Sequence, residues 1–503
     1  MRKLSYLLTF LSFFLFAGCA SATTYYIDHG SGSDANNGTS KTTPWMHAPG
    51  MLGCTAICAS TTPNQGDSFI LKGGVTWPNA VFPDHWVWSG TSGSPIYVGV
   101  DKSWYAGAAW VRPIFDAGGV AMSYNSFFQA QSVSHVQFDN IEMKGLNWSS
   151  NSGVSCVVGS GSTYLTVTNL YIHGWTHTGS ATLDEFACIK GDTNPPFALG
   201  DTADHIVFDG TDSTNGGDSG AFTYAWPTVT NSVIHDVTNG ILMNGQGEVG
   251  NNAVYNIHQS FDATEHENAI EAIGGNGIYY IHDNVISGSV YGENMMIGNT
   301  GETDYIWNNV IASASGNPIH FPQSTSKSNM NMYAWNNTIV PASGSPCFLW
   351  VSGFGGSWNT VDIRNNQCIT TSGSIASSGF TVTTLIVSNN AMMTPAQASA
   401  AGYLSNQTYK FSPTTSNCLG LSICTLLVGT NLSAFATGPL AGLQNDTSYA
   451  CTQQTVGGVV QSVCPSKTTY ARANTWEVGA YHFGGTAAST PPPPPTNIIA
   501  IVK

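Results

Sequence analysis

The chain has 503 residues, of which 42% are hydrophobic and 9% charged, with a formal net charge of −15 at pH 7. That length and apolar content suffice for one large core. The acidic balance argues against nucleic acid as a partner, and it would repel a polyanionic sugar unless a cation or a basic patch intervened. The 55 glycines, with frequent Asn, Ser and Thr, point to many turns and little helix.

The chain opens with "MRKLSYLLTFLSFFLFAGCASATTYY". A basic start at Arg2 and Lys3 precedes an apolar run from Leu4 to Phe16. Such a run is too short to span a bilayer comfortably and has the form of an export signal. Residues 1–22 hold two competing processing sites. Ala17-Gly18-Cys19 looks like a lipoprotein box, the favoured site, and Ala20-Ser21-Ala22 is an A-x-A site. The expectation is an exported monomer, extracellular or on the outer-membrane surface, that touches the membrane only through a lipid anchor at Cys19. Beyond Cys19 lie cysteines 54, 58, 156, 188, 347, 368, 418, 424, 451 and 464. An even count in an exported chain suggests disulfides. Sequence neighbours such as Cys54–Cys58, Cys418–Cys424 and Cys451–Cys464 make natural pairs. There is no Cys-x-x-Cys pair, which disfavours a zinc site.

Residues 23–134 are expected to form an N-terminal cap and the first coils. Residues 135–390 carry a repeat: "QFDNIEM", "TVTNLYI", "VFDGTDS", "TVTNSVI", "VGNNAVY", "IHDNVIS", "IWNNVIA", "AWNNTIV", "IRNNQCI" and "VSNNAMM". Aligned on their second step residue, they give the column Asn140, Asn169, Gly210, Asn231, Asn252, Asn284, Asn309, Asn337, Asn366 and Asn390. Asn and Gly tolerate left-handed backbone angles best, and β-branched and aromatic neighbours favour strands. A bend recurring at about 27 residues between short strands describes one coil of a solenoid, and stacked coils would place the Asn side chains in a hydrogen-bonded ladder. The preceding apolar residue sits two before the Asn in the early segments (Phe138, Val167) and three before it in later ones (Ile281, Ile306). The register therefore slips between Asn231 and Asn252, where the ladder is expected to break. Residues 391–483 would form the last coils and a cap, and 484–503 a Pro-rich linker and tail.

The "IxNNxI" coils resemble the right-handed parallel β-helix of pectate-lyase-like proteins, as do "TTYYIDHGSGSDANNGTSKTTPW" near the start and "TWEVGAYHF" near the end, with Arg472 just upstream. The resemblance implies an all-β, right-handed parallel β-helix of about ten coils, with an N-terminal cap and a disulfide-bearing C-terminal cap. It also implies action on an extracellular polysaccharide. It leaves the activity open, because such proteins include lyases, hydrolases, epimerases and non-enzymes.

In that family one strand of each coil lines a substrate groove. The candidates are "ACIKG", "GILMN", "ENAIEA", "ENMMIG", "NPIHF" and "SPCFL". Side chains alternate between faces. With Ile189, Ile241, Ile270, Met296 and Ile319 inward, the outer face presents Lys190, Leu242, Glu271, Ile297 and His320, together with Asn268 and Asn294. The long coil between Asn252 and Asn284 has its surplus before the groove strand, in a loop carrying Asp262, Glu265 and His266. Asp262 and Glu265 would contact substrate there. Glu267 and Asn268 are repeated by Glu293 and Asn294 one coil later, and with Glu271 they form an oxygen-rich set suited to Ca²⁺.

Three functions stay open. The first is Ca²⁺-assisted cleavage of a uronan by β-elimination, with Lys190, His320 or His266 as base. Downstream of Glu293, however, the only basic residues in the solenoid are Lys327 and Arg364, a departure from the Lys/Arg partners of such lyases. The second is hydrolysis of a neutral glycan, with Glu271 paired to Asp262 or Glu293. The third is non-catalytic surface adhesion or glycan binding, with "FDATEHENAIEAI" as a short helix capped by Asp262. Trp307 and Trp335 occupy matching positions in consecutive coils, between His282 and Arg364. They would stack along the outer wall or offer faces to a sugar. Lys144, His173 and His235 are expected to form an exposed turn ladder.

Overall fold

The computed structural model describes residues 22–120, 126–148, 154–177, 186–191, 200–212, 220–243, 245–258, 267–272, 277–298, 303–313, 315–322, 330–341, 344–351, 357–377, 381–400, 425, 428–456 and 459–480. The expected export signal, Cys19, Asp262, Glu265, His266, Cys418, Cys424 and the Pro-rich sequence after Gly484 lie outside the described residues.

Three all-parallel sheets run along the chain. One has 13 strands, from Thr24–Ile27 to Thr381–Ser388. The second has 12, from Thr76–Pro78 to Ala391–Met393, and the third has 10, from Asp84–Trp86 to Phe348–Val351. Successive coils give one strand to each sheet, as in Thr163–Thr168, Tyr171–His173 and Phe186–Lys190. This is the parallel β-helix expected from the resemblance, right-handed as parallel crossovers require. The described residues hold only two α-helices, Ala56–Ser60 and Pro395–Ala400. Inward residues of all three sheets fill one continuous apolar core, from Ile27 through Val167, Ile241 and Ile306 to Ile363.

The bends follow a rule different from the aligned column. Positive φ falls at Asn140, Asn169, His205, Asn231, Asn251, Asp283, Asn308, Asn336, Asn365 and Asn389. In the later coils the bend is thus the first residue of each Asx-Asn pair, and the second does another job. Gly210 is not a bend; His205 is (φ 53°). Gly210 is needed because a Cβ there would lie 1.8 Å from the Asp236 carbonyl oxygen.

The residue after each bend faces the interior. In early coils it is apolar: Ile141, Leu170 and Ile206, all fully buried. Ser232 marks the change, and from Asn252 onward it is Asn. The ladder then runs unbroken. The Asn252 N–H donates to Asn284 Oδ1 (3.0 Å), Asn284 to Asn309 (3.1 Å), Asn309 to Asn337 (3.0 Å), Asn337 to Asn366 (2.9 Å) and Asn366 to Asn390 (2.8 Å). Each amide nitrogen also donates to a carbonyl, for example Asn309 Nδ2 to Ile281 O at 2.9 Å. The apparent slip between Asn231 and Asn252 is where an apolar stack becomes an amide stack.

The bend residues themselves hold a C-terminal strap. Asn308 Nδ2 donates to Asn445 O, Asn336 Nδ2 to Glu477 O and Asn365 Nδ2 to Thr430 O, while Asn365 Oδ1 accepts from the Thr430 N–H. Arg472 Nη2 donates to Asn308 Oδ1 at 3.0 Å. The strap lays Leu432, Ala436, Leu443 and Trp476 over Trp307 and Trp335.

Disulfides join Cys54 to Cys58 and Cys347 to Cys368. The first is an expected neighbour pair; the second links sequential coils. Cys451 and Cys464 lie on the antiparallel partners Asn445–Val456 and Val459–Ala471. On the outer wall Lys144, His173, Asp209 and His235 are consecutive register partners. His173 and His235 are half-buried among carboxylates rather than exposed.

Candidate functional site

The ten-stranded sheet contains every groove strand predicted from the sequence that is described. Along it Lys190 pairs with Tyr224, then Leu242, Glu271, Met296, His320 and Leu349. Lys190, Glu271 and His320 therefore share one outward column, as alternation predicts. In one coil the inward residues differ from the expectation. Met295 and Ile297 are fully buried and Met296 faces out, because Ile270 pairs with Met295. The repeated Glu-Asn pair suggested a step of 26, but Asn268 is joined to Glu293 by a step of 25 residues.

Register also fixes what can meet. Strands step by about 4.8 Å. Lys190 is three steps from Glu271, roughly 14 Å at the backbone. His320 is two steps from Glu271 on the other side, roughly 10 Å. Lys190 is exposed and stands away from the other two.

A second polar stack organises the centre. The Asn268 N–H donates to Asn239 Oδ1 (2.9 Å), the Glu293 N–H to Asn268 Oδ1 (3.2 Å) and Asn317 Nδ2 to Glu293 Oε1 (3.0 Å). Asn268 Nδ2 donates to Glu271 Oε2 at 2.6 Å. His320 Nδ1 lies 2.9 Å from Glu293 Oε1 but off the line of a straight hydrogen bond, so the two are in polar contact. Glu293 Oε2 and His320 Nε2 are shielded and have no hydrogen-bond partner among the described residues. Glu293 and His320 keep 14% and 13% of their side chains exposed, enough to face a ligand while remaining held. Asn239 and Asn317 were missed in the sequence. Their signal was that Asn239, Asn268, Glu293 and Asn317 fall at one register position in consecutive coils.

Asn268 and Asn294, expected to offer oxygen on the outer face, are fully buried. Asn294 Nδ2 donates to Asn317 O (2.7 Å) and Ser315 O (3.4 Å), closing the next turn. Glu267 is also buried, at 2% exposure. Calcium takes about six to eight oxygen ligands. Here the Glu293 N–H occupies Asn268 Oδ1 and fixes that amide's orientation, which turns its nitrogen toward Glu271. Glu293 faces an amide nitrogen and an imidazole. Among the described residues no group of three or more His, Cys, Asp or Glu could hold a metal ion. The predicted set, Glu267, Asn268, Glu271, Glu293 and Asn294, thus does not fit a calcium shell.

Trp307 and Trp335 are fully buried. Trp307 stacks on His282 at 4.2 Å, Arg364 lies over Trp335 at 5.9 Å, and the strap covers both rings. They form a wall stack with no face left for a sugar, which corrects their assignment as substrate contacts.

No family model matches this sequence, and no curated protein does. Solved structures give distant likenesses. A GH136 lacto-N-biosidase from Eubacterium ramulus shares 12% identity over 74% of this chain and 68% of its own, with a TM-score of 0.45. A PL6 family alginate lyase, AlyGC, shares 14% over 66% of this chain and 49% of its own, TM-score 0.41. A pectate lyase shares 14% over 92% and 97%, TM-score 0.37. The class of the protein, a parallel β-helix, rests on its own strand order and register.

Proposed function

We propose that the protein is a carbohydrate-active β-helix that binds an extended extracellular glycan along its ten-stranded sheet and hydrolyses it. Glu271, Glu293 and His320 would act as the acid–base groups and a neutral polysaccharide as substrate. The observation that carries this is the Glu293–His320 contact at 2.9 Å, with His320 in the outward column that also holds Glu271. His320, set beside Glu293, would take a proton from the attacking water. Glu271 in its acid form gives a proton to the leaving glycosidic oxygen. The water oxygen bonds to the anomeric carbon as the glycosidic bond breaks. The backbone separation of Glu271 and His320, roughly 10 Å, is on the scale that direct attack by water needs, about 6.5–9.5 Å between the groups. Lys190, further along the sheet, would contact substrate hydroxyls, as would Asp262 and Glu265, with His266 as a further proton carrier. Neutral substrate follows from the −15 charge and from a carboxylate-bearing centre that does not fit a neutralising cation.

The test is incubation with a panel of neutral and acidic polysaccharides, with Ca²⁺ and with chelator. New reducing ends without unsaturated-uronate absorbance, unaffected by chelator, are expected. Unsaturated products would replace hydrolysis by β-elimination, and a polymer bound but uncut would leave a binding protein. Glu271→Gln should lower cleavage by at least about 100-fold; full activity in that variant would remove the site.

A further inference from the structure

Cys156 and Cys188 are buried thiols outside the disulfides Cys54–Cys58 and Cys347–Cys368. Cys156 lies on strand Ser155–Ser160 and Cys188 on Phe186–Lys190, neighbours in the ten-stranded sheet. Their register pairs Val157 with Ile189 and Val158 with Lys190, so Cys156 and Cys188 face each other across consecutive coils. The sulfurs are 2.6 Å apart and both residues are fully buried. We propose that Cys156 and Cys188 form a disulfide that staples two coils beneath the groove.

A disulfide needs Cα atoms within about 4.4–6.8 Å and sulfurs about 2.05 Å apart. In-register neighbours at about 4.8 Å meet the first condition, and a further approach of about half an ångström meets the second. The chain already carries two disulfides elsewhere, Cys54–Cys58 and Cys347–Cys368, so it matures where thiols are oxidised. A metal is the other use of paired cysteines. No third ligand stands with them among the described residues, and burial pushes the Cys188 thiol well up, against thiolate ligation.

The chemistry balances by exchange. One thiol loses its proton and attacks a disulfide of the oxidant, a protein or small-molecule disulfide. The resulting mixed disulfide is then displaced by the second thiolate. The pair loses two electrons and two protons, and the oxidant leaves as two thiols. Because both sulfurs are sealed in the finished coil, the bond forms while the coils are closing. Once formed, it fixes the floor strand that carries Lys190 two residues further on.

The test uses full-length protein recovered from an oxidising compartment. It is denatured without reductant, alkylated, digested and mapped by mass spectrometry. A linked peptide containing Cys156 and Cys188, two hydrogens lighter than the separate thiol peptides, is expected, with neither cysteine alkylated. Alkylation of both, or linkage of either to another cysteine, would overturn the proposal. In a second measurement the Cys156→Ser/Cys188→Ser double variant is expected to melt about 5 °C below the oxidised protein. It should match wild type folded in reductant once the other cysteine pairs have been reoxidised. A double variant that melts with the oxidised protein would also count against the bond.

Discussion

Asp84 begins the first strand of the ten-stranded sheet, fully buried, and neither carboxyl oxygen has a hydrogen-bond partner among the described residues. Gly50 sits against it because a Cβ there would lie 2.3 Å from Asp84 Oδ1, and its φ is +97°. Burial pushes the Asp84 carboxyl well above the usual carboxylate range, so the folded chain keeps a proton that the unfolded chain has released. Stability from this group is greatest at low pH and falls as pH rises above the ordinary Asp range, by up to about 1.4 kcal/mol per pH unit. Asp84→Asn keeps the shape and removes the titration. Its urea midpoint should exceed wild type at pH 8 and converge with it toward pH 4. His173 has the opposite arrangement. Burial pulls the imidazole down, but Asp212 at 2.7 Å and Glu142 at 3.2 Å outweigh it and raise its pKa to about 9. A raised histidine stabilises fully below its unfolded value, about 6.5, and loses that contribution as pH rises through about 9. Asp212 is half exposed, so screening leaves on the order of 2 kcal/mol. His173→Asn should flatten the decline in melting temperature over that window.

At the level of the coil, the Asx-Asn step combines two functions that look alike in the sequence. The first residue takes the left-handed bend, and in the later coils its amide ties down the strap; the second builds the interior ladder. Asn309 shows the cost of losing a rung. Its Oδ1 accepts from the Asn284 N–H, and its Nδ2 serves Ile281 O and Asn337 Oδ1. Asn309→Ala strands these buried groups and should cost about 3 kcal/mol or more by chemical denaturation. Asn336→Ala with Asn365→Ala should release the strap, exposing Trp307 and Trp335. Red-shifted tryptophan fluorescence and faster proteolysis after residue 428 would register this. The fold was legible because bend, alternation and coil length all leave marks in sequence. Lys190, Glu271 and His320 were placed in one column by alternation alone. The Glu293–Asn268 stack was not legible, because a repeated dipeptide spaced one residue beyond the true register is a stronger pattern than the register itself. The burial of Trp307 and Trp335 was hidden for another reason: the strap that covers them, from Leu432 to Trp476, lies far along the chain.

Across the whole molecule, charge decides which polymers can approach the groove. The net charge is −15, and Glu293 is one of the acids that stand at the proposed centre. Lys190 is three strand steps from Glu271, roughly 14 Å at the backbone, so its charge is weakened by screening over about 8 Å at physiological salt. An incoming polyanion therefore meets repulsion that added salt weakens, whereas a neutral chain meets none. The comparison to make is one glucan backbone in neutral form and after oxidation of its C6 hydroxyls to carboxylates, with binding measured at low and high salt. Affinity for the neutral polymer should change less than about twofold. The oxidised polymer should bind about tenfold more weakly at low salt and recover as salt rises. The opposite slope, tighter binding of the oxidised polymer at low salt, would mean that a cation or basic segment outside the described residues faces the groove. The substrate would then have to be sought among acidic glycans.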